Sequence, residues 1–147
     1  MQILTHRTEH TVWQPRWLSH PNGALGLLDL VIAVADLDEA AERFARFTAR
    51  PAIANPFGRA LRLDRGHVQL ITANRLAEIV QLPIPALPFA AAYAVAVTSL
   101  DGVEERLRGG KIEFDLRGKV IVANFPDDLG TGAWLFVENA CDLPWRA

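Results

Sequence analysis

Residues 30–44 read LVIAVADLDEAAERF, and residues 93–107 read YAVAVTSLDGVEERL. Six of these fifteen positions are identical at a fixed offset of 63: Ala33/Ala96, Val34/Val97, Leu37/Leu100, Asp38/Asp101, Glu42/Glu105 and Arg43/Arg106. This internal repeat constrains the fold more than any other feature, because the chain writes the same local instructions twice.

In the first copy Leu30, Ile32 and Val34 alternate with Val31, Ala33 and Ala35, the period of two of a strand buried on both faces. Asp36 then stands as a helix N-cap, with Glu39 three residues on, close to a capping box. Leu37, Ala40, Ala41, Phe44 and Phe47 form an apolar helical stripe, and Glu42 and Arg46 make an i,i+4 pair on the outer side. The second copy repeats the plan. Ser99 is the cap, Leu100, Val103 and Leu107 the stripe, Glu104 and Arg108 the outer pair, and Gly109-Gly110 the stop.

Each helix leads into further strands. ALRLD at 60–64 and HVQLIT at 67–72 follow the first, joined by a tight Arg65-Gly66 turn. KIEFDLRG, KVIVANF and GAWLFVE follow the second, with an exposed loop at 126–132. Each half therefore reads strand, helix, then two or three strands, and the proline-rich stretch 82–88 joins the halves. One such unit has an open sheet and one helix, too little to close a core. The predicted fold is α+β: two βαβββ modules paired about a pseudo-twofold axis, their mixed curved sheet enclosing a cleft. The expected division is an arm and turn at 1–26, module one at 27–80, a linker at 81–89, module two at 90–139 and a tail at 140–147.

Composition narrows the function classes. A chain of 147 residues that is 50% apolar and 22% charged reads as one soluble domain. Its formal net charge is −2 and Lys and Arg are scattered, so no nucleic-acid partner is expected. The single cysteine, Cys141, forms no internal disulfide, which makes a cytoplasmic location the default. The chain opens without a cationic segment leading into an apolar one, so no signal peptide is expected. Residues 79–100 carry no charge, but Pro83, Pro85 and Pro88 break the first half of that run, and no membrane partner is expected.

The arm carries THRTEHTVWQPRWLSH, with His6 and His10 four residues apart. That spacing suits two metal ligands on one helical face, but Pro15 argues against a long helix and no third ligand is near. Trp13 and Trp17 are better read as packing the arm onto the domain or onto a second copy, and a homodimer in which Thr5–His20 contributes to the contact is expected.

Paired βαβββ modules with a VxDL-like strand-to-helix junction resemble the vicinal oxygen chelate superfamily, which includes glyoxalase I, extradiol dioxygenases and bleomycin-resistance proteins. More narrowly, HPNGALGLLDLVIAV at 20–34 with GRALRLDRGHVQLIT at 58–72 is similar to the glyoxalase-like domain family. The resemblance spans about residues 27–139. In the narrower family HPNGA lies at the junction between two halves of a longer protein, so the chain resembles a second half, as a short member or a fragment.

The resemblance implies metal ligands at the start of the first strand and the end of the last strand of each module. Asp29 stands where the superfamily's first-strand His would be, and Ala92 stands at the equivalent place in module two. Gln69 and Glu138 occupy the last-strand places. Candidate metal ligands are therefore Asp29, Gln69 and Glu138, with Glu138 as the candidate catalytic carboxylate. Counting by twos puts Asp29, Val31 and Ala33 on one strand face, Ala92, Ala94 and Ala96 on the matching face, His67 with Gln69, and Trp134 with Phe136 and Glu138. The expected ligand-binding residues are Asp29, His67, Gln69, Trp134 and Phe136, around a cleft that the alanines keep open. Because Ala92 supplies no ligand, the expected cofactor is none or a weakly bound divalent metal such as Mg, Mn or Zn.

The resemblance then implies one of three functions: a lyase, isomerase or dioxygenase whose metal holds vicinal oxygens of its substrate, a metal-free binding or sequestering protein, or the non-catalytic half of a larger enzyme. The first two expect a small-molecule partner in the cleft between the modules, and the third puts the active site in a domain outside this chain. No nucleophile with an adjacent His, no glycine-rich phosphate loop and no CxxC competes with them.

Overall fold

The computed structural model describes residues 7–12 and 14–146. Two short helices, α1 (Glu9–Val12) and α2 (Pro15–Leu18), lie in the arm. Module one follows as β1 (Ala24–Val34), α3 (Leu37–Thr48), β2 (Ala52–Asn55), β3 (Gly58–Arg62) and β4 (His67–Thr72). A helix α4 (Ala73–Ala77) ends module one ahead of the linker. Module two is β5 (Phe89–Val97), α5 (Leu100–Gly109), β6 (Phe114–Arg117), β7 (Val120–Asn124) and β8 (Ala133–Val137).

The predicted helix starts are made by the predicted caps. The Asp36 carboxylate accepts from the backbone N–H of Asp38 and Glu39 at 3.1 and 3.0 Å, and the Ser99 hydroxyl accepts from Gly102 N–H at 3.2 Å. Both outer ion pairs form, Glu42 with Arg46 at 3.6 Å and Glu104 with Arg108. Such exposed pairs add a few tenths of a kcal/mol each.

All eight strands join one curved, unclosed sheet in the order β2-β3-β4-β1-β5-β8-β7-β6. Read outward from the centre, the two halves are the same arrangement. In each, the first strand lies parallel to the last, β1 beside β4 and β5 beside β8, and β1 meets β5 antiparallel at the seam. The two-module α+β fold read from the repeat is the fold observed. β2 and α4, four and five residues long, went unread because each is too short for an apolar pattern to recur often enough to be told from chance.

Each helix covers the outer face of its own module. Ile32, Val34, Leu61, Val68 and Leu70 pack beneath Ala40, Ala41 and Phe44 of α3. Val95, Val97, Ile121, Trp134 and Phe136 pack beneath Val103 and Leu107 of α5. The inner, concave face carries Val31, Ala33, Ile71, Ala92, Ala94, Leu135 and Val137.

That inner face is not left open by its alanines. Leu76 of α4, Ile79 and Val80 just after it, and Leu143 and Trp145 of the tail are buried against it. Arg117 Nη1 donates to the Ile79 carbonyl at 2.7 Å and Asn124 Nδ2 to the Gln81 carbonyl at 3.3 Å, which fixes the linker across β6 and β7. Small residues at 92 and 94 make room, and the chain's own apolar segments take most of it, as the gain of about 25 cal/mol per Å2 of buried apolar surface favours.

Candidate functional site

The concave face of module one keeps a polar row. The β1–β4 register sets Asp29 opposite His67, and the β3–β4 register sets His67 opposite Arg62. Because strand side chains alternate, these three share one face, and Val31, Gln69 and Ala60 form the next row on it. The turn that precedes His67 needs a glycine: Gly66 has φ +82°, and a Cβ there would stand 2.8 Å from the Leu28 carbonyl oxygen. At the corresponding inner positions module two carries Ala92, Ala133 and Leu135, so the pseudo-symmetry is kept by the backbone and broken by the chemistry.

The C-terminal tail closes over the row. Trp145 Nε1 donates to Asp29 Oδ2 at 3.0 Å, and Arg146 Nη2 donates to Asp29 Oδ1 at 2.7 Å. Asp29 is 1% exposed, and both its oxygens accept a bond. Arg146 Nη2 also lies 2.6 Å from His67 Nδ1. A guanidinium only donates, so Nδ1 is the acceptor there and His67 is the neutral tautomer protonated on Nε2. Burial pushes the His67 pKa below its ordinary 6.5, and the charges of Arg146 and Arg62 push the same way. Asp29 and a hydrogen bond with the Leu28 backbone oppose that shift without reversing it.

Over this row is a half-open cavity of 280 Å3. Its polar wall is Asp29, His67, Arg62 and Arg146, with Asn55 at the β2 side. Its apolar wall is Ile53, Ala54, Ala60 and Trp145. A larger hollow of 710 Å3 lies between the linker and β6–β7, where Arg117 is already tied to Asp115 and to the Ile79 carbonyl.

The structure brings some of the sequence-predicted residues together and separates others. Asp29 and His67 meet. Gln69 shares their face but is fully buried and committed: its Oε1 accepts from Asn55 Nδ2 at 2.8 Å and its Nε2 donates to the Leu70 carbonyl at 3.1 Å. Trp134 and Phe136 do not join them. The parallel β5–β8 register pairs Ala92 with Ala133 and Ala94 with Leu135, so 133, 135 and 137 face inward and Trp134 and Phe136 turn outward beneath α5. A one-residue shift of strand register moves every side chain to the other face. Glu138 follows the outward set. Its Oε1 accepts from Leu100 N–H at 2.9 Å, at the first residue of α5, where a carboxylate also meets the positive end of the helix.

The candidate metal set does not fit a metal ion. Both Asp29 oxygens are engaged by Trp145 and Arg146, Gln69 is engaged by Asn55 and backbone, and Glu138 accepts from the first residue of α5, away from both. Among the described residues no three His, Cys, Asp or Glu side chains converge as a metal cluster. In the arm, His10 is exposed, while Thr5, His6 and Trp13 lie outside the described residues. Among the described residues no helix is long and apolar enough to cross a membrane.

Four residues of the site were missed from sequence: Asn55, Arg62, Trp145 and Arg146. Arg62 had a signal, since a tight Arg65-Gly66 turn brings 62 opposite 67. Trp145 and Arg146 had none, being 116 and 117 residues from Asp29.

The sequence matches no protein-family model and no curated protein. In structure the chain is similar to a methylmalonyl-CoA epimerase from Mycobacterium tuberculosis, with a TM-score of 0.65 and 20% identity over 86% of this chain and 96% of that one. A glyoxalase/bleomycin resistance protein/dioxygenase from Nocardioides aligns with a TM-score of 0.36 at 22% identity, over 90% of this chain and 95% of that one. Identities this low speak to architecture and not to chemistry. The chain has the paired-module fold of the vicinal oxygen chelate superfamily.

Proposed function

We propose that this chain binds a small molecule without a metal, and that the molecule lies against the Asp29–His67–Arg62 row of module one. The state of Asp29 carries the reading. At the position where the superfamily's first-strand ligand is expected, both carboxylate oxygens accept from Trp145 and Arg146. The superfamily's metal mechanisms ask for a chelate in the pocket, and Asp29 and Glu138 do not converge to form one. What is left is a cavity with an apolar wall and a few fixed polar groups, the usual make-up of a small-molecule site.

The test is an amide-detected NMR titration of the 15N-labelled protein with a fragment mixture in the presence of EDTA. Saturable shifts at Asn55, His67 and the Trp145 indole, unchanged by the chelator, are expected. Shifts that need added zinc or magnesium, or that are confined to Trp134 and Phe136 on the α5 side of the sheet, overturn the reading.

We also propose that two copies associate through residues 5–20. Trp17 is 65% exposed, and Leu25 and Leu27, at the start of β1, are 62% and 55% exposed. Exposed large apolar side chains gathered in one part of a chain tend to be covered.

A further inference from the structure

Two guanidiniums face one carboxylate across the module-one cavity. Arg146 spends a single nitrogen, Nη2, on both Asp29 Oδ1 and His67 Nδ1. Its Nε and Nη1 hydrogens make no bond among the described residues, so most of a five-donor fork is uncommitted. Arg62 ends β3 beside His67, lines the cavity, and its side chain forms no ion pair or hydrogen bond among the described residues. Asp29 balances one of the two positive charges, and His67 is neutral. One positive charge is left over, beside a wall made of Ile53, Ala60 and Trp145.

We propose, resting on the small-molecule reading above, that the site takes a small organic acid, its carboxylate held between Arg146 and Arg62 and its short apolar body lying over Ile53 and Ala60. A planar guanidinium fork matches a carboxylate, and such charge-assisted bonds are the stronger class. The surplus of one charge suits a monoanion rather than a dianionic phosphate. The cavity, 280 Å3 and open to solvent on one side, has room for an acid of a few carbons. The donors are also held in place before a ligand arrives. Arg146 is fixed by its bond to a buried carboxylate, so little side-chain freedom remains to be lost on binding.

The experiment compares butanoate, its neutral isostere butanamide, and propylphosphonate. Each is titrated into the full chain while the Trp145 indole N–H and the Arg146 Nε–H are followed by NMR, with Trp145→Phe used to assign the indole signal. Butanoate should shift both signals saturably and butanamide should not. Arg62→Gln, at an exposed position, should weaken butanoate by about tenfold, the loss of one charge-assisted bond. Ala60→Leu should abolish binding by filling the cavity. Butanamide binding as well as butanoate, with Arg62→Gln inert, overturns recognition by charge and leaves the small-molecule reading standing. Propylphosphonate binding more tightly than butanoate overturns the choice of a monoanion. If none of the three moves either signal at millimolar concentration, the proposal and the reading beneath it both fail.

Discussion

Arg146 Nη2 donates to Asp29 Oδ1 across 2.7 Å, a contact between residues 117 apart in the chain. It joins the C-terminal tail to the first strand, with the Asp29 side chain 1% exposed and that of Arg146 22%. Removing one partner of such a pair leaves a buried charge without compensation, which typically costs about 3 kcal/mol or more. Arg146→Ala should therefore lower the unfolding free energy by about 3 kcal/mol. Trp145→Phe, which removes the other donor to Asp29 but keeps an aromatic ring in the core, should cost about 1–2 kcal/mol. Urea denaturation measures both. Arg146→Ala within half a kcal/mol of the wild type would mean the tail is not latched to Asp29 in solution.

Glu138 was expected to be the catalytic carboxylate and stands instead at the first residue of α5. Glu138→Ala removes an acceptor from an exposed helix N-terminus and should cost about 1 kcal/mol, as loss of a cap does. Glu138→Gln, which keeps an acceptor, should recover most of that loss. Neither change should alter ligand binding in the module-one cavity. An effect of Glu138→Ala on affinity, at unchanged stability, would return Glu138 to the site.

The fold was legible and the site only half so, for physical reasons that differ by residue. The repeat and its caps are local, and Asp36 and Ser99 act within three residues of themselves. The inward set on β1 was readable because Asp29 is the one charge in its strand and fixes which face is which. β8 offers no such marker. AWLFV is apolar on both faces, since the inner face packs the linker and tail while the outer face packs α5. Bulk then misleads: Trp134 packs against Phe125 in the outer layer, the ring centroids 4.4 Å apart and the planes tilted by 50°, while the smaller Leu135 faces inward. The tail's part in the site depends on pairing across the whole chain, which no local pattern encodes.

Assembly gives a separate test. If residues 5–20 bring two copies together, sedimentation should find a dimer for the full chain at micromolar concentration. Deleting residues 1–20 should shift it to monomer while leaving the far-UV circular dichroism of the sheet in place, because among the described residues that deletion takes α1 and α2 and no strand. Trp17→Ser should weaken the dimer without deleting the arm, since Trp17 is 65% exposed in one copy. A monomer for both the full and the shortened chain rules the arm out as an interface.

The neutral state of His67 makes stability depend on pH in a defined direction. Its folded pKa lies below 6.5, held there first by burial, then by Arg146 and Arg62, against the opposing pull of Asp29 and the Leu28 backbone. In the unfolded chain it titrates at its ordinary value of about 6.5. Between those two values the unfolded chain carries a proton at this residue and the folded chain does not. Protonation therefore favours unfolding, and stability rises with pH through that window. The full contribution is present above about pH 6.5 and shrinks as pH falls, until the folded pKa is passed and the loss levels off. Protonated His67 would also face Arg146 Nη2 with a donor at Nδ1, so the 2.6 Å contact has to open. Urea midpoints taken from about pH 7.5 down to about pH 5 should fall for the wild type. His67→Asn, which cannot titrate, should flatten that part of the curve and leave the rest unchanged. Equal slopes for the two proteins below pH 6.5 would show that His67 is not held neutral by its neighbours, and that Arg146 reaches it in some other protonation state.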